Sequence, residues 1–131
     1  MGAVFVCYAR EDEAFVERLY AALVEAGREV WLDLAEIPRG ADWRDGVASG
    51  IGRAEAIAFV ISPDSLVSRG CTHELEHALA SGKRVIPLLR REPEAWAAVP
   101  PQVRRHHWIF MRDRDDFDAA LGELVAAIEA E

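Results

Sequence analysis

A chain of 131 residues with 51% hydrophobic and 29% charged side chains has the composition of one globular domain, long enough to bury a single core. Its net charge of −8 argues against direct nucleic-acid binding, because contact with phosphates needs a basic footprint. No apolar run approaches the ~20 residues of a membrane span, and the N-terminus enters a strand pattern without a signal peptide, so a cytoplasmic domain with no membrane contact is expected.

In chain order, "AVFVCY" (Ala3 to Tyr8) is a continuous apolar run, as in a strand buried on both faces. Asp12 opens a helical pattern in which Phe15, Leu19, Leu23 and Ala26 share a face, and Gly27 supplies the stop. "EVWLD" is a second strand ending in Asp33. "LAEIPRGAD", with Pro38 and Gly40 and no period, reads as a loop, and Asp42 caps a short helix carrying Trp43, Val47 and Ile51. "AIAFVIS" (Ala56 to Ser62) is the most strand-like run. Pro63 breaks it, and a loop then leads to a helix that contains Glu74 and ends at Ser81-Gly82.

"RVIPLL" is a fourth strand, in which Pro87 hints at a sheet edge or a bulge. "EPEAWAAVPP" is irregular or briefly helical, and "HWIF" is a weak fifth strand. The last helix lines up Phe117, Leu121, Leu124, Val125 and Ile128. Cys7 and Cys71 sit in apolar contexts and read as buried thiols in a reducing compartment.

Strands alternating with helices through the chain predict an α/β fold with a parallel sheet covered on both faces. Five such units fit a flavodoxin-like, three-layer architecture of strand order 2-1-3-4-5, in which ligands bind at the carboxyl ends of the strands beside the switch point. The segments delivered there are Tyr8-Ala9-Arg10, Ser62 with its loop, and the first turns of the Glu74 helix.

His73-Glu74-Leu75-Glu76-His77 spells H-E-x-x-H, a zinc-peptidase pattern. Catalytic zinc needs three protein ligands. The extended form of the pattern would put its third histidine where Lys83 stands, and the helix stops about one turn past His77. The two histidines are therefore read as surface residues flanking a buried Cys71-Leu75-Ala78-Leu79 face, with no metal expected. A phospho-receiver needs an aspartate ending the third strand and a lysine after the fifth. The third strand instead ends Ile61-Ser62-Pro63, and no lysine follows Phe110. "YAREDE" carries no glycine-rich phosphate loop.

Several of these segments, in order, resemble the TIR (Toll/interleukin-1 receptor/resistance) domain. "VFVCYAREDEAFVERLYAAL" is similar to its first box, "GREVWLDLAEIPRGADW" to the second strand and the loop that follows, and "AEAIAFVISPDSLVSRGCTHELEHAL" to the third strand and the S-x-W-C-x-x-E-L element. "HHWIFMRDRDDFDAALGELVAAI" resembles the Trp-bearing fifth strand and last helix. The resemblance covers essentially the whole chain, residues 1–131, as a single domain, and it implies a domain excised from or fused to a longer sensor or effector protein.

In enzymatic members the glutamate of the C-x-x-E element cleaves NAD, and the resemblance puts that role on Glu74. It implies an NAD nucleosidase giving nicotinamide and ADP-ribose or a cyclic product. NAD would be the substrate, with no cofactor, and self-association through TIR–TIR contacts would activate an immune or antiphage effector. Tyr8, Arg10, Asp33, Gly40, Trp43, Ser62 and Cys71 would form the substrate pocket, with Arg10 on the diphosphate. Two departures stand out: Cys7 replaces the usual serine, and Gly70 the tryptophan expected before Cys71. Glycine offers no face for a base to stack on, which lowers the expected affinity. The alternative from the same resemblance is a non-enzymatic TIR–TIR scaffold.

Overall fold

The computed structural model describes residues 3–32, 51–104 and 108–130. Strand β1 (Ala3–Cys7) is buried along its whole length. A 3-10 turn at Arg10–Asp12 leads into helix α1 (Glu13–Glu25), which ends at Gly27 with φ of +84°. That left-handed geometry suits glycine, as the sequence predicts. Strand β2 (Val30–Leu32) follows. Residues 51–53 are helical and lead into β3 (Ala54–Ile61). The expected loop from Leu34 and the body of the short helix after Asp42 lie outside the described residues, as does the start of the fifth strand at His107.

Pro63 ends β3 as expected but starts a helix rather than a plain loop. Helix α2 (Pro63–Val67) has proline at its first position, where no N–H is needed, and Ser62 and Ser65 form a reciprocal capping box. Helix α3 (Arg69–Ala80) begins at Ser68, whose hydroxyl accepts from the Cys71 N–H at 3.2 Å. It stops at Gly82, with φ of +72°. Strand β4 (Val85–Leu89) is followed by a 3-10 turn at Trp96–Ala98 and helix α4 (Pro101–Arg104). Strand β5 (Ile109–Phe110) and helix α5 (Phe117–Glu129) complete the chain, with Asp116 capping α5.

The five strands form one parallel sheet in the order β2-β1-β3-β4-β5, the flavodoxin-like arrangement expected. Pro87 marks neither an edge nor a bulge, because β4 lies between β3 and β5 and its register against β3 is unbroken. The physical reason lies in the alternation of the main chain. The Arg84 carbonyl accepts from the Ile57 N–H on the β3 side, and the Leu89 carbonyl accepts from the Met111 N–H on the β5 side. Pro87 therefore turns its nitrogen toward β5, where pairing covers only Leu88 and Leu89, so a missing N–H breaks no β3 bond. The irregularity in the sheet falls instead between Ala3 and Val4, where β1 pairs with β3.

Side chains of β1 alternate between two cores. Val4, Val6 and Tyr8 join Phe15, Leu19 and Leu23 of α1 and Leu124 and Ile128 of α5. Phe5, Cys7 and Ala9 join Cys71, Leu75 and Ala78 of α3 on the opposite face. The predicted stripe on α5 holds, with Leu124 and Ile128 buried and Phe117, Leu121 and Val125 packed against them. Lys83 donates its ammonium to the carbonyls of Gly52 and Ala54, both at 3.0 Å, and so ties α3's exit to the start of β3.

Leu88 is fully buried in the inner strand β4, whereas Val67 on α2 is 81% exposed. Leu88→Ala is expected to cost about 2–5 kcal/mol in urea unfolding. Val67→Ala should stay within ~0.5 kcal/mol.

Candidate functional site

The carboxyl ends of β1, β3 and β4 meet along one edge of the sheet, next to the first turns of α3. Glu74 projects from α3 on the same face as Cys71, Leu75 and Ala78 and has 0% exposed surface. It lies beside Cys7, the last residue of β1, whose thiol donates toward the Cys71 carbonyl at 3.7 Å. Burial pushes the Cys7 thiol well above its ordinary value. Hydrogen bonding to Cys71 and the nearby Glu74 carboxylate push the same way, since both favour the neutral form. Cys7, Cys71 and Glu74 are thus one contiguous buried group.

The remaining expected residues are distributed differently. Tyr8 is buried in the α1–α5 core, on the face of the sheet opposite Cys7. Arg10 stands exposed on the 3-10 turn. Ser62 is fully buried, and its hydroxyl is engaged twice: it donates to Asp12 Oδ2 at 2.5 Å and accepts from the Ser65 N–H at 3.1 Å. Asp33, Gly40 and Trp43 lie outside the described residues.

His73 is exposed and His77 half-buried, flanking the buried face as the sequence reading has them. Leu79 is only partly buried, and Glu74 takes its place as the fourth buried residue of α3. Among the described residues, no three His, Cys, Asp or Glu side chains converge as a metal site would require.

The sequence reading missed a second buried acid. Asp12 is 4% exposed and stands at the N-terminus of α1, yet its side chain caps nothing there. Its carboxylate accepts from Ser62 and, at 3.0 Å, from Arg91 Nε. Arg91 also pairs with Asp64 on α2, and these two acids hold its guanidinium above the usual arginine range. Asp12 occupies a slot where capping is the default expectation for aspartate. Only the distant Arg91 marks it otherwise, and spacing cannot show that.

A cavity of about 320 Å³ flanks α3 on another side, lined by Phe59, Ser65, Thr72, Leu75, Glu76 and Gln102. None of Tyr8, Arg10, Ser62, Cys71 or Glu74 lines it.

A doubly wound sheet with a buried acid beside its switch point defines a flavodoxin-like α/β domain with a candidate site at the strand ends. Within that class, the profile of the TIR domain matches residues 4–125, and the chain belongs to the TIR domain family. Solved structures agree on the fold. The TIR domain of the Toll-related receptor TRR-2 from Hydra magnipapillata has a TM-score of 0.85 at 24% identity, covering 99% of this chain and 100% of that one. The TIR domains of the activated Roq1 resistosome, which directly recognises the pathogen effector XopQ, have a TM-score of 0.75 at 19% identity, covering 98% and 99% of the two chains. A metazoan TIR-STING receptor from C. gigas, solved with 2',3'-cGAMP, has a TM-score of 0.79 at 20% identity over 99% of this chain and 40% of that one. No curated protein matches the sequence. Among the described residues, no helix is long and apolar enough to cross a membrane.

The folded Cys7 thiol has a raised pKa, so its contribution to stability is complete below the ordinary thiol value of 9.0. It is lost as pH rises from there through the folded value, because the unfolded thiol ionises first. Urea titrations across this range should show a steeper decline for the parent than for Cys7→Ser, which removes the titrating group.

Proposed function

We propose that this domain cleaves the bond between nicotinamide and ribose in NAD, with Glu74 as the acting carboxylate. The observation that carries this reading is Glu74 itself, an acid buried beside the end of β1 where burial of a carboxylate is costly without a use. One carboxylate suffices for this reaction. Ordinary glycosidases need a second to protonate an alkoxide-like leaving group. Nicotinamide is a pyridinium on the sugar and departs neutral. The remaining task is to stabilise the oxocarbenium-like ribose, which a fixed anion does electrostatically. Water then gives ADP-ribose, and attack by the adenine gives a cyclic product. In this reading Arg10 takes the diphosphate, and the loops that carry Arg10 and Ser62 frame the substrate.

A carboxylate with 0% exposure touches no ribose, so turnover requires that Glu74 be uncovered. We assign that step to self-association, as fits an immune signalling domain that works inside the cell. The Roq1 relative is described as an activated resistosome, an assembly that includes its TIR domains. The complete burial of Glu74 also favours a second reading, a scaffold that acts through TIR–TIR contact alone and for which this acid is a core residue.

Nicotinamide release by concentrated protein separates the two. Glu74→Gln is expected to lower kcat by at least ~100-fold. His73→Ala, His77→Ala and chelator should leave it nearly unchanged. A parent protein that assembles but releases no nicotinamide would establish the scaffold.

The rate should also rise faster than linearly with protein concentration. Strict proportionality down to nanomolar protein would rule out activation by association.

A further inference from the structure

The buried Asp12 joins three strand ends, the exits of β1, β3 and β4. Asp12 closes the 3-10 turn through its own N–H, which donates to the Ala9 carbonyl at 2.9 Å. Its carboxylate holds Ser62, at the end of β3, and Arg91, just past β4. Arg91 is itself fixed from two sides, by its N–H on the Ile61 carbonyl at 3.2 Å and by its guanidinium on Asp64. The other end of the segment is Cys7, buried against Cys71 and Glu74. Arg10 is the exposed cation in the span between those fixed points, two residues from Asp12 and three from Cys7.

We propose that Asp12 is a positioning residue that sets where the Arg10 guanidinium stands relative to Glu74. The proposal rests on the nucleotide reading above, in which Arg10 meets the diphosphate. A purely structural role is the competing account. A buried ion pair is weak evidence for stability, since an apolar replacement of similar volume is often neutral or better. What Asp12 supplies that an apolar side chain cannot is direction: Ser62 and Arg91 both donate to one carboxylate, so the turn has one place to sit. Loss of that anchor leaves the Arg10 charge intact and misplaced, which weakens binding of the nucleotide more than the bond cleavage at Glu74.

The test is a cycle of Arg10→Ala, Asp12→Asn and the double variant, with KM and kcat for NAD and unfolding in urea. Asparagine is isosteric but keeps one acceptor oxygen: with that oxygen on Ser62, its NH2 faces the Arg91 Nε–H, so both the charge and the acceptor that hold Arg91 are lost. Asp12→Asn is expected to raise KM by ~10–100-fold with kcat nearly constant. In the Arg10→Ala background it should add little to KM while costing the same stability. Arg91→Lys, which cannot reproduce the Nε–H and fork, should act in the same direction as a second variant. Additive KM effects, or a fall in kcat at constant KM, would overturn the proposal while leaving the NAD reading standing.

Hydrogen exchange reads the anchor without turnover. Asp12→Asn should speed exchange from Arg10 to Asp12 while the amides of β4 remain protected. Unchanged exchange there overturns the positioning role whether or not NAD is cleaved. Faster exchange in a protein that releases no nicotinamide supports the anchor and overturns only the NAD reading.

Discussion

Strand β1 lies inside the sheet, hydrogen-bonded to β2 on one side and β3 on the other, and the alternation of its side chains decides what every other element can do. Because successive residues face opposite layers, Cys7 is committed to α3 and Tyr8 to α1 and α5. A slip of one residue would exchange the two sets and bring a tyrosine against Glu74 in place of a thiol. The pairing of Val4 to Val6 with β2 and of Val4 to Cys7 with β3 makes such a slip expensive. The chemistry available at the strand ends follows from that register more than from any single loop.

Much of this was legible in the residues. Alternating strand and helix patterns gave the five-stranded order, and Gly27 and Gly82 marked helix ends because both positions adopt positive φ. The face of α3 was readable from its period, which separates buried Cys71, Leu75 and Ala78 from exposed His73. The failures turned on interactions that composition and period do not show. Pro63 read as a break into a loop and Pro87 as a sign of an edge or bulge, but a local capping box made the first a helix start, and main-chain parity made the second harmless. Tyr8 follows β1 directly, so proximity in sequence suggested the site while strand parity sent its ring to the other core. Asp12 opens α1 as read, but nothing local shows that its carboxylate is taken by Arg91, 79 residues later.

Two buried acids, Asp12 and Glu74, lie near the carboxyl ends of the strands in different surroundings. Asp12 accepts from a hydroxyl and a guanidinium, so its charge is matched where it lies. Around Glu74 the structure places a thiol that its own burial and the carboxylate keep protonated. The period of α3 splits the H-E-x-x-H spelling, sending Glu74 inward and leaving His73 in solvent.

Complete burial also sets how activity can be controlled, if Glu74 acts as proposed. The fraction of molecules with the acid uncovered scales the apparent affinity for substrate directly. Moving that equilibrium from one in a hundred open to nearly all open takes ~5.5 kcal/mol of preferential binding to the open form. A contact between domains of ordinary interface size supplies several kilocalories after its ordering costs, so association is an adequate source and no covalent modification is required. The same arithmetic gives the closed monomer a purpose. Under that proposal, an uncovered Glu74 in every copy would consume substrate without a signal, whereas a carboxylate sealed beside Cys7 and Cys71 would stay silent until a second copy made the open state the stable one.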